Sequence, residues 1–143
     1  MQFPFVKSGL NLADMKKIAS SFADVLSNGD IILLNGDLGS GKTTFIKFIC
    51  EWFDISFAAS PSFAIVNEYQ SECKIYHFDF YRVKKVEELY DIGFAEYLNE
   101  NEAIFFIEWA KLFPEILPKK VYNVEIKMTN DYLRTIRIDK NEK

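Results

Sequence analysis

The amino-acid sequence predicts an α/β fold, a single small domain over residues 1–143 built on a mixed sheet. Two helical patterns bracket a short apolar strand, and a glycine-rich stretch sits between that strand and the second helix. Downstream, two pairs of strand-like segments are each joined by a short polar turn, which adds antiparallel hairpins to the alternation. With 143 residues, 49% of them hydrophobic and 16% aromatic, the chain can build one core that hides roughly two thirds of the unfolded surface. No internal repeat, low-complexity tract or linker divides it.

In chain order, residues 11–27 have helical periodicity, with Leu12, Met15, Ile18, Ala19, Phe22, Val25 and Leu26 on one face. Asn11 can cap this helix, Asp14 sits near its positive end, and Gly29 follows as a stop. "IILLN" at 31–35 is a continuous apolar run of strand length, the pattern of a parallel strand covered on both faces. Phe45, Phe48, Ile49, Trp52 and Phe53 then recur at helical spacing, so 42–53 is a helix on the sheet. Segments 63–70 and 74–81 flank Ser71-Glu72-Cys73 as a hairpin. Residues 84–98 are helical with a break at Gly93, and "AIFFIE" at 103–108 is a buried strand ending in an acid. Segments 121–129 and 132–139 flank Asn130-Asp131 as a closing hairpin.

Composition narrows the function. The net charge of −4 and a pI of about 5.1 argue against a broad nucleic-acid-binding surface, which rests on neutralising phosphates. The lysine pairs 84–85 and 119–120 suit a solvated surface. Cys50 and Cys73 form no C-x-x-C pair, and with His77 the sole histidine they make a poor zinc set, so a reduced, cytoplasmic setting is expected. No run approaches the ~20 apolar residues of a membrane span.

"GDLGSGKTT" at 36–44 fits G-x-x-x-x-G-K-[ST] through Gly36, Gly41, Lys42 and Thr43. Glycines let the backbone N–H groups of Leu38, Gly39, Ser40, Gly41 and Thr44 turn toward an anion, and the following helix aims its positive end at it. Lys42 can reach the β- and γ-phosphates, and the Thr43 hydroxyl can bind Mg²⁺.

Such a loop needs a second magnesium anchor, an acid at the carboxyl end of a neighbouring strand. Glu108 closes the more hydrophobic of the two candidate strands, where an unpaired carboxylate is costly; a metal partner accounts for its position, with a structural acid as the alternative. Asp79, in "YHFDFYR", can orient water, coordinate metal through water, or hold His77 and Arg82 in place. His77 alone is better explained as a packed, hydrogen-bonded residue than as a catalyst. Ser62 can be a switch hydroxyl that senses the γ-phosphate, or a turn serine beside Pro61.

Neither N-K-x-D nor D-x-x-G is present, which disfavours GTP, and three arginines (Arg82, Arg134 and Arg137) are few for the arginine-rich lid of a small-molecule kinase.

Taken together, "GDLGSGKTTF" (36–45), "SPSFAIVNEY" (60–69), "YHFDFYR" (76–82), "EELYDIGFAEYL" (87–98) and "IEWA" (107–110) resemble the bacterial TsaE (YjeE) ATPases of tRNA threonylcarbamoyladenosine biosynthesis. The resemblance runs through nearly the whole chain. It implies a P-loop NTPase-like three-layer sandwich with a mixed, largely parallel sheet and antiparallel hairpins. It further implies ATP and Mg²⁺ as cofactors and a role beside TsaB and TsaD, which transfer a threonylcarbamoyl group to adenosine 37 of tRNAs reading codons that begin with A. On this resemblance tRNA is reached through the partners, Lys42 meets the phosphates, Thr43 and Glu108 hold Mg²⁺, Asp79 lies near the γ-phosphate, and Arg134 approaches the nucleotide. The family usually has Thr where this chain has Ser62; serine keeps the hydroxyl and loses the methyl that limits χ1, which implies a looser switch. A small-molecule kinase and a non-hydrolysing nucleotide-binding scaffold stand as alternatives.

Overall fold

The structure, a computed structural model, describes residues 1–56, 64–129 and 131–142. Seven strands form one sheet: β1 (Phe5–Leu10), β2 (Ile31–Asn35), β3 (Val66–Gln70), β4 (Lys74–Asp79), β5 (Ala103–Glu108), β6 (Val121–Met128) and β7 (Arg134–Asn141). Their spatial order is β1-β7-β6-β2-β5-β4-β3. The centre, β6-β2-β5-β4, is parallel, and both flanks are antiparallel. The parallel character thus belongs to the centre, where both faces of each strand are covered.

Alternation along the strands divides the core in two. Ile32, Leu34, Ile104 and Phe106 face helices α1 (Leu12–Val25) and α2 (Lys42–Trp52), while Ile31, Leu33, Phe105 and Ile107 face α3 (Val86–Asp91) and α4 (Phe94–Leu98). Helices therefore cover the sheet on both sides, giving the three layers expected.

Asn11 caps α1 as the sequence indicates, in a capping box closed by Asp14. The helix ends at Val25, however, and Gly29 instead turns the chain into β2, with φ +93° and its N–H on the Ala103 carbonyl at 2.7 Å. α2 buries Phe45, Ile46, Ile49 and Cys50, so its inner face is rotated from the one read in the sequence and Trp52 stays half exposed. β4 stops at Asp79, two residues short of the expected end, because the Asp79 carboxylate accepts the Tyr81 N–H and starts a 3₁₀ turn over Phe80–Arg82. Gly93, at φ +78°, separates α3 from α4 as expected. β1 has no counterpart in the sequence reading. Among the described residues, no helix is long and apolar enough to cross a membrane.

Candidate functional site

Because β2, β4 and β5 run parallel, their carboxyl ends meet at one edge of the sheet. Leu34 of β2 and Asp79 of β4 both stand opposite Glu108 at the end of β5. From Asn35 the chain enters the glycine-rich loop, which delivers α2 over the same edge.

The loop's glycines answer specific steric demands. Gly36 has φ +152°, and a Cβ there would lie 2.5 Å from the Ile126 carbonyl oxygen and 2.6 Å from Ser40 Oγ. Gly41 has φ +110°, and a Cβ there would come within 3.1 Å of Arg134 Nε. Gly41 also occupies the N-cap of α2 and offers no side-chain acceptor, so the first-turn N–H groups lack the cap that Asn11 gives α1.

Around this helix start opens a cleft of about 900 Å³. Leu38, Gly39, Gly41, Lys42, Thr43 and Thr44 line it from the loop and helix, and Asp79, Glu108 and Arg134 line it from β4, β5 and β7. Residues far apart in sequence are thereby brought together at one cleft. Ser40 lies behind the lining: its carbonyl accepts from Arg134 Nε at 3.3 Å, while its buried hydroxyl has no partner among the described residues. Ser62 lies outside the described residues.

Lys42 is almost fully buried, with Nζ 4.1 Å from the centroid of the Trp109 ring. It donates to the Gly36 carbonyl and reaches the Asp37 carbonyl at 3.5 Å. Burial pushes its pKa below the ordinary lysine value, and the charges of Glu108, Asp79 and Asp37 oppose that shift. The ammonium thus sits among loop carbonyls and an aromatic face, with three acids near it and, among the described residues, no close ion pair.

Thr43 Oγ1 lies 3.5 Å from Glu108 Oε1, and Glu108 Oε2 is 2.7 Å from His77 Nε2. Asp79 accepts from the Tyr81 N–H at 3.1 Å and from Arg82 Nε at 3.2 Å. Asp79 therefore holds Arg82, one of the roles the sequence leaves open, whereas His77 is held by Glu108.

Among the described residues no three His, Cys, Asp or Glu side chains converge as a metal cage. A hydroxyl and a carboxylate beside an anion cradle nonetheless fit Mg²⁺, which keeps waters and commonly takes one or two carboxylates plus substrate phosphates.

Tyr81, Arg82, Lys84 and Trp109 also line the cleft and were not among the site residues read from the sequence. Lys84 is exposed, as a solvated pair requires, and lies at the cleft as well. The available signal was proximity, since Arg82 follows Asp79 by three residues and Trp109 follows Glu108 by one.

Comparison with known proteins places the chain in a family. The family model described as threonylcarbamoyl adenosine biosynthesis protein TsaE matches residues 10–136. The tRNA threonylcarbamoyladenosine biosynthesis protein TsaE of Rickettsia conorii is 38% identical over 133 residues, covering 91% of this chain and 75% of that protein. The protein of the same name from Bacillus subtilis is 37% identical over 129 residues, covering 89% and 80%. The crystal structure of Bacillus subtilis YdiB superposes with a TM-score of 0.77 at 32% identity, over 96% of this chain and 86% of that one. With a family match over residues 10–136 and relatives 37–38% identical over most of its length, this chain belongs to the TsaE family.

Proposed function

We propose that this chain binds ATP with Mg²⁺ and hydrolyses it in support of threonylcarbamoyladenosine formation at adenosine 37 of tRNAs that read codons beginning with A, acting with TsaB and TsaD. The pathway follows from the names of its relatives. The chemistry rests on one observation: Lys42, Thr43 and Glu108 converge at the uncapped start of α2, with Thr43 Oγ1 3.5 Å from Glu108 Oε1.

In this reading the N–H groups of Leu38–Thr44 receive the phosphate oxygens, and Lys42 leaves its loop carbonyls to donate to them. That exchange is favoured because a poorly satisfied buried ammonium gains an anionic partner. Thr43 and Glu108 would hold Mg²⁺, which when bound would supply positive charge against the phosphoryl oxygens. Asp79 retains acceptor positions beyond its two observed bonds and orients the attacking water. Arg134, fixed on the Ser40 carbonyl, adds positive charge beside the loop.

Arg82 is committed to Asp79, which leaves the transition-state clamp incomplete and turnover by the isolated chain slow. The test is reconstitution with TsaB, TsaD, tRNA and threonylcarbamoyl-adenylate, with and without this chain. Sustained modification and release of labelled γ-phosphate as inorganic phosphate should both require it. Transfer of label to a metabolite would instead identify a kinase, and modification that cycles equally well without this chain would sink the reading.

A further inference from the structure

Glu108 and His77 form a pair that the proposed chemistry does not yet use. Both side chains are buried, at 7% and 6% exposure, and Nε2 of His77 lies 2.7 Å from Oε2 of Glu108. The contact comes from sheet register: Asp79 stands opposite Glu108 and His77 opposite Phe106, so His77 reaches Glu108 diagonally from one step deeper in the sheet. Phe106 belongs to the core on the α1 and α2 side, and alternation places Glu108 on that same face. His77 therefore lies beneath Glu108 and behind the start of α2. Its other ring nitrogen, Nδ1, is 3.5 Å from the Tyr69 hydroxyl on β3.

The two oxygens of Glu108 have different surroundings. Oε2 is turned inward to the imidazole, and Oε1 is turned outward to Thr43. A glutamate has three side-chain torsions, and a carboxylate held at one oxygen loses most of that freedom before any ligand arrives. Since a carboxylate only accepts, Nε2 carries the hydrogen of this bond. Outer-shell groups that fix a metal ligand in this way typically contribute 10- to 100-fold in metal affinity or activity.

We propose that His77 is the positioning residue that holds Glu108 with Oε1 presented for Mg²⁺, so that an interior histidine sets the metal affinity of the site. The inference rests on the nucleotide-binding reading above, because it assigns a support to the same metal ligand. Mere core packing would make His77 interchangeable with any residue of similar volume; positioning requires a donor at Nε2.

The test compares His77→Phe, which fills the space without a donor, with His77→Gln, whose amide nitrogen can replace Nε2. A fluorescent ATP analogue is titrated in EDTA and then across Mg²⁺ concentrations, with thermal melting of each variant in parallel. The expected result is that His77→Phe leaves Mg²⁺-free binding within about twofold and raises the Mg²⁺ concentration for half-maximal effect by about 10-fold, and that His77→Gln recovers most of the loss. In a Glu108→Gln background, His77→Phe should add nothing further, which also serves if His77→Phe alone melts too low to titrate. An unchanged Mg²⁺ requirement in His77→Phe, equal loss in both His77 variants, or a full additional effect in the Glu108→Gln background would overturn the proposal. A wild-type chain that binds no nucleotide, or binds without any Mg²⁺ effect, would instead overturn the nucleotide-binding reading itself.

Discussion

At the scale of single residues, the site depends on where a side chain is forbidden as much as on where one is needed. Gly36 turns the chain out of β2 against β6, and the space its Cβ would take is held by the backbone carbonyl of Ile126 and by Ser40. The Ile126 carbonyl is backbone and cannot swing aside as the Ser40 hydroxyl can, and the positive φ adds backbone strain to the clash. Gly36→Ala should therefore destabilise the protein by about 1–3 kcal/mol, read as a lower urea midpoint at unchanged slope. A midpoint equal to wild type would show that the loop relaxes freely. Much of this residue-level site was legible, because the loop spacing is local and Glu108 is conspicuous at the end of an apolar run. The partners were less so: whether Asp79 or Glu108 takes His77 depends on register between strands that are far apart in the chain.

At the scale of elements, helices were the easier part to read and the flanking strand the hardest. α1 carries its own start signal, since Asn11 accepts from the Asp14 N–H at 2.8 Å and Asp14 accepts from the Asn11 N–H at 3.1 Å. Asn11→Ala should remove about 1 kcal/mol, lowering the melting temperature by roughly 3 °C while leaving nucleotide affinity alone. A change in affinity would mean that α1 influences the loop through its packing on α2. β1 gave no comparable signal. Of its six residues only Leu10 is buried, and four are exposed, so it joins the sheet through backbone pairing with β7 rather than through an apolar face. Apolar letters alone likewise misplace the face of α2: Trp52 is apolar yet half exposed, while Ile46 and Cys50 are buried.

At the scale of the whole molecule, the cleft is assembled from four widely separated parts of the chain, represented by Lys42, Asp79, Glu108 and Arg134. Unfolding scatters them, so a ligand that needs them together binds the native state alone and stabilises it by mass action. At 100 times its dissociation constant, ATP with Mg²⁺ should contribute about 2.7 kcal/mol, a rise of roughly 5–10 °C in the melting temperature of a domain this size. Replacing Mg²⁺ by EDTA should shrink the rise if Thr43 and Glu108 share the metal as proposed. Lys42→Ala should abolish most of it while changing the ligand-free melting temperature little, since the ammonium it removes is buried at some electrostatic cost that offsets its loop hydrogen bonds and its contact with the Trp109 ring. The three curves separate binding from folding: a rise in Lys42→Ala equal to that of wild type would place the nucleotide elsewhere on the surface. No rise in wild type at any ATP concentration would remove the cleft as the site altogether.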